Sequence, residues 1–153
     1  MEEMIEVLRS QDICVLATVC DSTPHCSLMA YIIDEDCRKI YMITHKETKK
    51  YQNLLANPSV SLLIDTRLSE KNLPREKVQA LNANGIFSRV ENAGEVELWR
   101  KRFTAAHPHL HDFAKHESAV LFVVQLKSLQ LLNGATDASS VILDESFQLS
   151  AGC

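Results

Sequence analysis

Three short β-rich runs, separated by turns of a few residues, constrain the fold of this 153-residue chain more than any other feature. The runs cover residues 13–19, 25–33 and 38–44, and the turns between them lie at 21–24 and 34–36. Apolar and β-branched residues fill the runs, whereas Asp, Ser and Pro favour the turns. Strands joined by turns this short pair antiparallel, so the pattern predicts an antiparallel meander.

The rest of the chain combines further strands with helices. The patterns predict helices at 2–10, 47–56 and 94–106, strands at 59–65, 77–91, 118–132 and 140–149, and a loop or short helix at 66–76. Gly85 in the long strand predicts a bulge or bend. Antiparallel strands with a few helices set between them predict a mainly β fold, a β-barrel with helices formed by one domain over residues 1–153.

Composition and charge exclude several classes of protein. The formal net charge is -4 and no long basic face exists, so we expect no binding to nucleic acid. No run approaches the roughly 20 apolar residues that span a bilayer, and the start of the chain lacks an apolar core of signal type. We therefore expect a cytoplasmic protein that does not contact membranes. The five cysteines form no CxxC pair, which predicts buried free thiols without a zinc site or disulfides.

The segment THKETKKYQNLLANP, residues 44–58, joins a predicted strand to a predicted helix. One interpretation is a capping box in which Thr44 caps the helix, Glu47 bonds back to it and both lysines are solvated. The other is an anion site at the helix N-terminus, with hydroxyls from Thr44 and Thr48 and charges from Lys49 and Lys50. The segment alone leaves both interpretations open.

The succession of residues 12–65 resembles the FMN-binding split-barrel family, of which pyridoxamine 5'-phosphate oxidase is a member. The strands ICVLATV, CSLMAYII and KIYMIT precede HKETKKYQNLLANPSVSLLI, where the family has a hydroxyl residue, basic residues, an Asn/Gln-rich helix, Asn-Pro and a strand. KVQALNANGIFSRVEN resembles the family's long strand with its glycine, and WRKRFTAAHPHLHDF resembles the following helix and His-Pro turn. The resemblance extends over roughly residues 5–134.

This resemblance implies a six-stranded antiparallel split β-barrel with peripheral helices. It also implies a homodimer that binds FMN at the subunit interface and acts on a small-molecule substrate. The residues that it assigns to the FMN phosphate are Thr44, Thr48, Lys49 and Lys50. Those assigned to the ribityl chain and isoalloxazine are Ser27, Leu28, Met29 and Ala30, with Gln79 reaching the cofactor from the later strand. Trp99 or the turn at 107–111 would come from the partner subunit. The flavin performs the chemistry in such oxidoreductases, so no catalytic residue is assigned.

Two departures from the family pattern bear on the substrate. The chain ends at DESFQLSAGC, without the segment rich in Arg, Trp and His by which the oxidases grip their substrate. Leu28 stands where the oxidases place an arginine. We therefore expect a substrate other than vitamin B6.

Three alternatives to an FMN-dependent enzyme stay open. They are a non-catalytic flavin-binding dimer, a protein that uses a deazaflavin, and a haem-binding or haem-degrading relative. The run of His107, His109 and His111, with His116 nearby, could supply an axial ligand to haem iron. Around Pro108 these side chains are expected to splay apart, which argues against a metal site.

Overall fold

The structure, a computed structural model, describes residues 1–67 and 74–143. In these ranges the helices are α1 (Glu2–Ser10), α2 (Lys49–Ala56), α3 (Ala93–Ala106) and α4 (His111–Lys115), with 3₁₀ turns at Arg75–Lys77 and Pro108–Leu110. The strands are β1 (Ile13–Cys20), β2 (Thr23–Ala30), β3 (Ile32–Ile33), β4 (Lys39–His45), β5 (Ser59–Asp65), β6 (Gln79–Arg89), β7 (Ala119–Asn133) and β8 (Asp137–Ile142).

All eight strands belong to one antiparallel sheet. Their order is β2-β1-β5-β6-β7-β4-β3, and β8 pairs with β7. The two ends of this order, β2 and β3, are separated in the chain by Tyr31 alone, so the sheet curls until its ends meet. The predicted mainly β fold, a split barrel with helices, is thereby confirmed, although the sheet has eight strands where the resemblance implied six.

The predicted second strand, residues 25–33, is interrupted at Tyr31. The backbone N–H of Tyr31 donates to the carbonyl of Asp12 at 2.9 Å, and its carbonyl lies 3.0 Å from Nε2 of His107. The phenol donates to the carbonyl of Leu8 at 2.9 Å. Tyr31 therefore ties the barrel seam to α1 and to the end of α3, at the cost of strand pairing.

Strand β4 is buried on both faces, which explains its unbroken apolar character. Ile40 and Met42 belong to the core inside the barrel. Tyr41 and Ile43 point outward into a second core, which α3 and α4 complete with Trp99 and other apolar side chains. Successive residues of a strand face opposite sides, so one strand serves both cores.

The outer face of β1, β2, β5 and β6 carries no helix from the described part of the chain. Leu28, Leu63 and Ile86 are 70%, 40% and 39% exposed on this face. This sheet face therefore exposes apolar side chains to solvent in the single chain.

The bulge predicted at Gly85 is confirmed. The register between β6 and β7 shifts between Asn84 and Gly85. A Cβ at Gly85 would lie 2.5 Å from Cγ1 of Val124 and 2.7 Å from the carbonyl oxygen of Gln125, so the strands can approach here only without a side chain.

Some expectations need correction. The last strand begins at Asp137 and ends at Ile142, earlier than the predicted 140–149, of which residues 144–149 lie outside the described ranges. Cys14 and Cys37 are buried and Cys20 is half-buried, but Cys26 is exposed because β2 lies at the end of the strand order and no part of residues 1–67 or 74–143 covers its outer face. Cys153 lies outside the described residues. No helix within 1–67 or 74–143 has both the length and the apolar character needed to cross a membrane.

Candidate functional site

Helix α2 begins at Lys49, and its N-cap is Thr48. The Thr48 hydroxyl accepts from the backbone N–H of Tyr51 at 3.4 Å and donates to the carbonyl of His45 at 2.9 Å. The predicted capping box of Thr44 and Glu47 is therefore wrong. Thr44 still belongs to β4, where it pairs with Val120, and the strand continues to His45, so the helix cannot begin directly after Thr44.

Thr44 lies beneath Thr48 and is only 1% exposed. The two hydroxyl oxygens are 3.1 Å apart. Because the single proton of Thr48 goes to the His45 carbonyl, Thr44 donates to Thr48. The structure thus gives Thr44 a supporting position under the N-cap, while Thr48 is half-buried at the turn.

Glu47 is held by the start of β7. The hydroxyl of Ser118 donates to Oε1 of Glu47, and this hydrogen bond, above other causes, holds the pKa of that carboxyl below its usual range. The backbone N–H of Lys46 donates to the carbonyl of Ser118 at 3.0 Å. The carboxylate of Glu47 is therefore directed to β7 and does not bond back to Thr44.

Aromatic stacking joins the same turn to α4. The ring of His45 stacks on Phe113 at 4.2 Å and on His116 at 4.8 Å between ring centroids. Nε2 of His45 lies 3.0 Å from the carbonyl of Phe113, and Nδ1 of His116 accepts from the N–H of Ser118 at 3.1 Å. Residues 113–118 thus fix the turn from outside the barrel.

The turn is positively charged and has free donors. Lys46 and Lys49 are exposed, Lys50 is half-buried, and none of the three forms an ion pair within residues 1–67 and 74–143. The backbone N–H groups of Lys49 and Lys50 open α2, where no intrahelical acceptor is available. The helix end adds a partial positive charge. These donors and charges fit a phosphate group.

Strand β2 lies against both β4 and α2 and so borders the turn. Leu28 points outward into open space, and Ala30 packs beside the outer core. Met29 is buried inside the barrel, so only its backbone is available to a ligand. The hydroxyl of Ser27 is 3.4 Å from Nδ1 of His25. The predicted ribityl and ring residues therefore lie on a strand that contacts both elements joined by the turn.

Gln79 is not brought to the turn. It opens β6 and pairs with Asn133, to whose Oδ1 its amide donates at 2.8 Å. The turn lies at the other end of β7, where Ala119 pairs with His45. About 45 Å of extended strand separates the two ends. Any contact from Gln79 to a ligand at the turn would have to come from another subunit.

The aromatic and histidine residues assigned to a partner subunit have partners in their own chain. Trp99 stacks on Tyr41 at 3.8 Å, and the guanidinium of Arg102 lies 4.6 Å above the Trp99 ring. His107 is buried, and its ring lies at 82° to that of His109. His109 and His111 are exposed whereas His107 is buried, so the three histidines of the HxHxH run do not share one environment. In the described part of the chain no group of three His, Cys, Asp or Glu side chains converges as a metal site.

Sequence reasoning missed the contribution of Phe113, His116 and Ser118. The contact between Ser118 and Glu47 spans 71 positions. The only signal that could reveal it is the pairing of the predicted strands 38–44 and 118–132, which brings residue 118 next to residue 45. Nothing in the local pattern around Ser118 indicates that its side chain serves the turn.

Comparison with known proteins identifies the family. The family model described as pyridoxamine 5'-phosphate oxidase matches residues 1–133. A search of curated proteins finds no match. Among solved structures, General Stress Protein 26 from Bacillus anthracis is 19% identical, with a TM-score of 0.70 over 93% of this chain and 97% of that one.

Two further structures share the fold. An FAD-binding protein from Mesorhizobium loti is 17% identical, with a TM-score of 0.70 over 85% of this chain and 91% of that one. A haem-binding protein from Mycobacterium smegmatis is 17% identical, with a TM-score of 0.76 over 91% of this chain. The chain spans 57% of the length of that haem-binding protein. By the family match, the chain belongs to the pyridoxamine 5'-phosphate oxidase family of split-barrel proteins.

Proposed function

We propose that this protein is an FMN-binding oxidoreductase that transfers hydride or electrons between a reduced nicotinamide or other small substrate and an acceptor. The observation that carries the proposal is the turn before α2. Among the residues that the structure describes, its lysines form no ion pairs and the first N–H groups of the helix are unpaired, in a chain of this family. Bound flavin would supply the redox chemistry.

The residues of the turn have distinct parts in this proposal. The N–H groups of Lys49 and Lys50 and the two ammonium groups bind the phosphate, since charge-assisted hydrogen bonds are the strongest available to an exposed site. Thr48 would turn its hydroxyl proton from the carbonyl of His45 to the phosphate, and Thr44 supports Thr48 from below. Strand β2 supports the ribityl chain and ring through the backbone of residues 27–30 and the side chain of Leu28.

The same proposal includes a homodimer. The outer face of β1, β2, β5 and β6 exposes apolar side chains next to the site, as a subunit interface requires. A second copy on this face would cover a ring that lies along β2. It would also offer the route by which Gln79 of the partner subunit approaches the cofactor.

The phosphate assignment predicts a difference between FMN and riboflavin, which lacks the phosphate. In the double variant Lys49→Ala/Lys50→Ala, FMN binding should weaken at least tenfold while riboflavin binding is unchanged, because each lost charge-assisted bond contributes about 1.5–3 kcal/mol. Fluorescence titration with both flavins measures this. Lys39→Ala/Lys127→Ala removes the same charge elsewhere and is the matched control. Unchanged FMN affinity in the first variant would mean that the turn only caps a helix.

Activity needs a second experiment. Anaerobic addition of NADH or NADPH to the reconstituted protein should bleach the flavin absorbance. The rate of bleaching should be at least as high as the rate of catalytic turnover. A protein that binds FMN and stays yellow under both reductants would not take hydride from a nicotinamide, and this result would favour the alternative of a non-catalytic flavin-binding dimer.

Haem binding is the second candidate function. His109, His111 and His116 are exposed, His116 stacks on His45 of the turn, and a structural neighbour is described as haem-binding. Haem titration should then give a sharp Soret band. One of the variants His109→Ala, His111→Ala and His116→Ala should abolish this band, because it removes the axial ligand. His107 is excluded as an axial ligand because Nε2 is engaged with the carbonyl of Tyr31 inside the protein.

A further inference from the structure

Glu47 presents an electrostatic problem for a phosphate site. It directly precedes the N-cap Thr48, between Lys46 and the first residues of α2. A carboxylate near a doubly negative phosphate repels it, and near a protein surface this repulsion is large enough to reduce affinity severalfold. An anion site at this turn therefore requires that the Glu47 side chain be directed elsewhere.

Ser118 holds the Glu47 side chain in such a direction, and all of its own polar groups form hydrogen bonds. Its hydroxyl donates to Glu47, its carbonyl accepts from the N–H of Lys46 at 3.0 Å, and its N–H donates to Nδ1 of His116 at 3.1 Å. Ser118 is half-buried at the start of β7, so the hydroxyl is aimed before any ligand binds. This hydrogen bond, above other causes, lowers the pKa of Glu47 and so favours the ionised carboxylate.

We propose that Ser118 is a positioning residue for phosphate binding, which holds the Glu47 carboxylate against the start of β7 and so keeps its charge away from the anion at the helix N-terminus. The inference rests on the proposed FMN site and extends it to a residue that does not touch the ligand. Ser118 thereby sets the preference of the site for phosphorylated over unphosphorylated flavin.

A double-mutant cycle tests this inference. Ser118→Ala should weaken FMN binding about three- to tenfold, since the freed carboxylate can then approach the phosphate, and should leave riboflavin binding unchanged. Glu47→Gln should bind FMN at least as tightly as the wild-type protein. The double variant should match Glu47→Gln, because without the charge Ser118 has nothing to restrain. Ser118→Thr, which keeps the hydroxyl, should restore wild-type affinity.

Each other result overturns something specific. If Ser118→Ala binds FMN like the wild-type protein, the inference fails while the proposed site stands. If the loss persists in the double variant, Ser118 acts through the turn backbone and the inference also fails. If the wild-type protein does not prefer FMN over riboflavin, the phosphate site fails, and the inference with it. The NMR titration of Glu47 without ligand is an independent readout, in which Ser118→Ala should raise the pKa towards its ordinary value.

Discussion

At the scale of single residues, buried acidic protons give the protein a weakness at high pH. Burial raises the pKa of the Cys14 thiol from 9.0 to about 12, and burial with smaller charge effects also raises the pKa of the Tyr31 phenol above its usual 10.0. As the pH rises, both groups therefore lose their protons at a lower pH in the unfolded chain than in the folded protein. The folded state therefore binds more protons above about pH 9, and stability is lost as the pH rises from there.

The expected result is a free energy of unfolding that is level near pH 8 and falls between about pH 9 and 11. Each group contributes a slope of up to about 1.4 kcal/mol per pH unit. Urea unfolding at several pH values measures it, and Cys14→Ala should remove the part that begins at the lower pH. A free energy of unfolding that stays constant up to pH 11 would contradict the burial of these groups.

For the turn before α2, the sequence predicts the helix start but does not determine which threonine caps the helix. The sequence contains two hydroxyl residues, Thr44 and Thr48, each able to cap the following helix. The choice between them depends on how far β4 extends, and that is decided by its pairing with β7. Local capping patterns contain no information about such long-range pairing. The sequence therefore placed the lysines at a helix start, but the capping-box interpretation chose Thr44 as the cap where the structure has Thr48.

At the scale of elements, α2 is joined to the sheet by a buried polar pair. Nδ2 of Asn53 donates to Oγ1 of Thr18 at 3.1 Å, and both side chains are almost fully buried. Removing one partner leaves the other without its hydrogen bond inside the protein. Replacing both by apolar groups of similar shape removes this penalty.

Asn53→Leu and Thr18→Val should each lower the free energy of unfolding by about 1–3 kcal/mol, and the double variant should recover most of the loss. Chemical denaturation of the four proteins measures the coupling. The exposed pair of Asn84 and Ser128, whose side chains are 3.3 Å apart, is the control, because Asn84→Ala should cost well under 1 kcal/mol. Additive losses at the buried pair would show that it does not hold α2.

The elements themselves were largely predictable. Helices 2–10 and 94–106 and the strand at 59–65 follow from periodicity and turn residues, and the structure has them within a residue of those bounds. The interruption at Tyr31 was not predictable. It arises from hydrogen bonds to residues distant in the chain, among them His107, and no local pattern records them.

At the scale of the whole molecule, the uncovered sheet face predicts self-association. If a second copy packs on it, Leu63→Glu/Ile86→Glu should convert a dimer to a monomer in sedimentation velocity, because two carboxylates per subunit would be buried in an apolar interface. Leu98→Glu, an equally exposed leucine on α3, should leave the dimer intact. A wild-type monomer, or dissociation caused by Leu98→Glu, would place the interface elsewhere or remove it.

Some features of the whole molecule were predictable from the sequence and others were not. The barrel and its family were recognisable because the succession of elements along the chain, the turn lengths and the Asn-Pro after α2 can all be read directly from the sequence. The separation of Gln79 from the turn was not, because it depends on the 15-residue length of β7 and the end at which each neighbour pairs.

In the proposed function, the start of α2 binds the phosphate of a flavin. Amide NMR spectra of the wild-type protein, recorded with FMN and then with riboflavin, show whether it does. We expect the amide signals of Lys49 and Lys50 to shift strongly with FMN and far less with riboflavin. If FMN binds and leaves both signals unmoved, or if riboflavin shifts them equally, the helix start does not hold the phosphate.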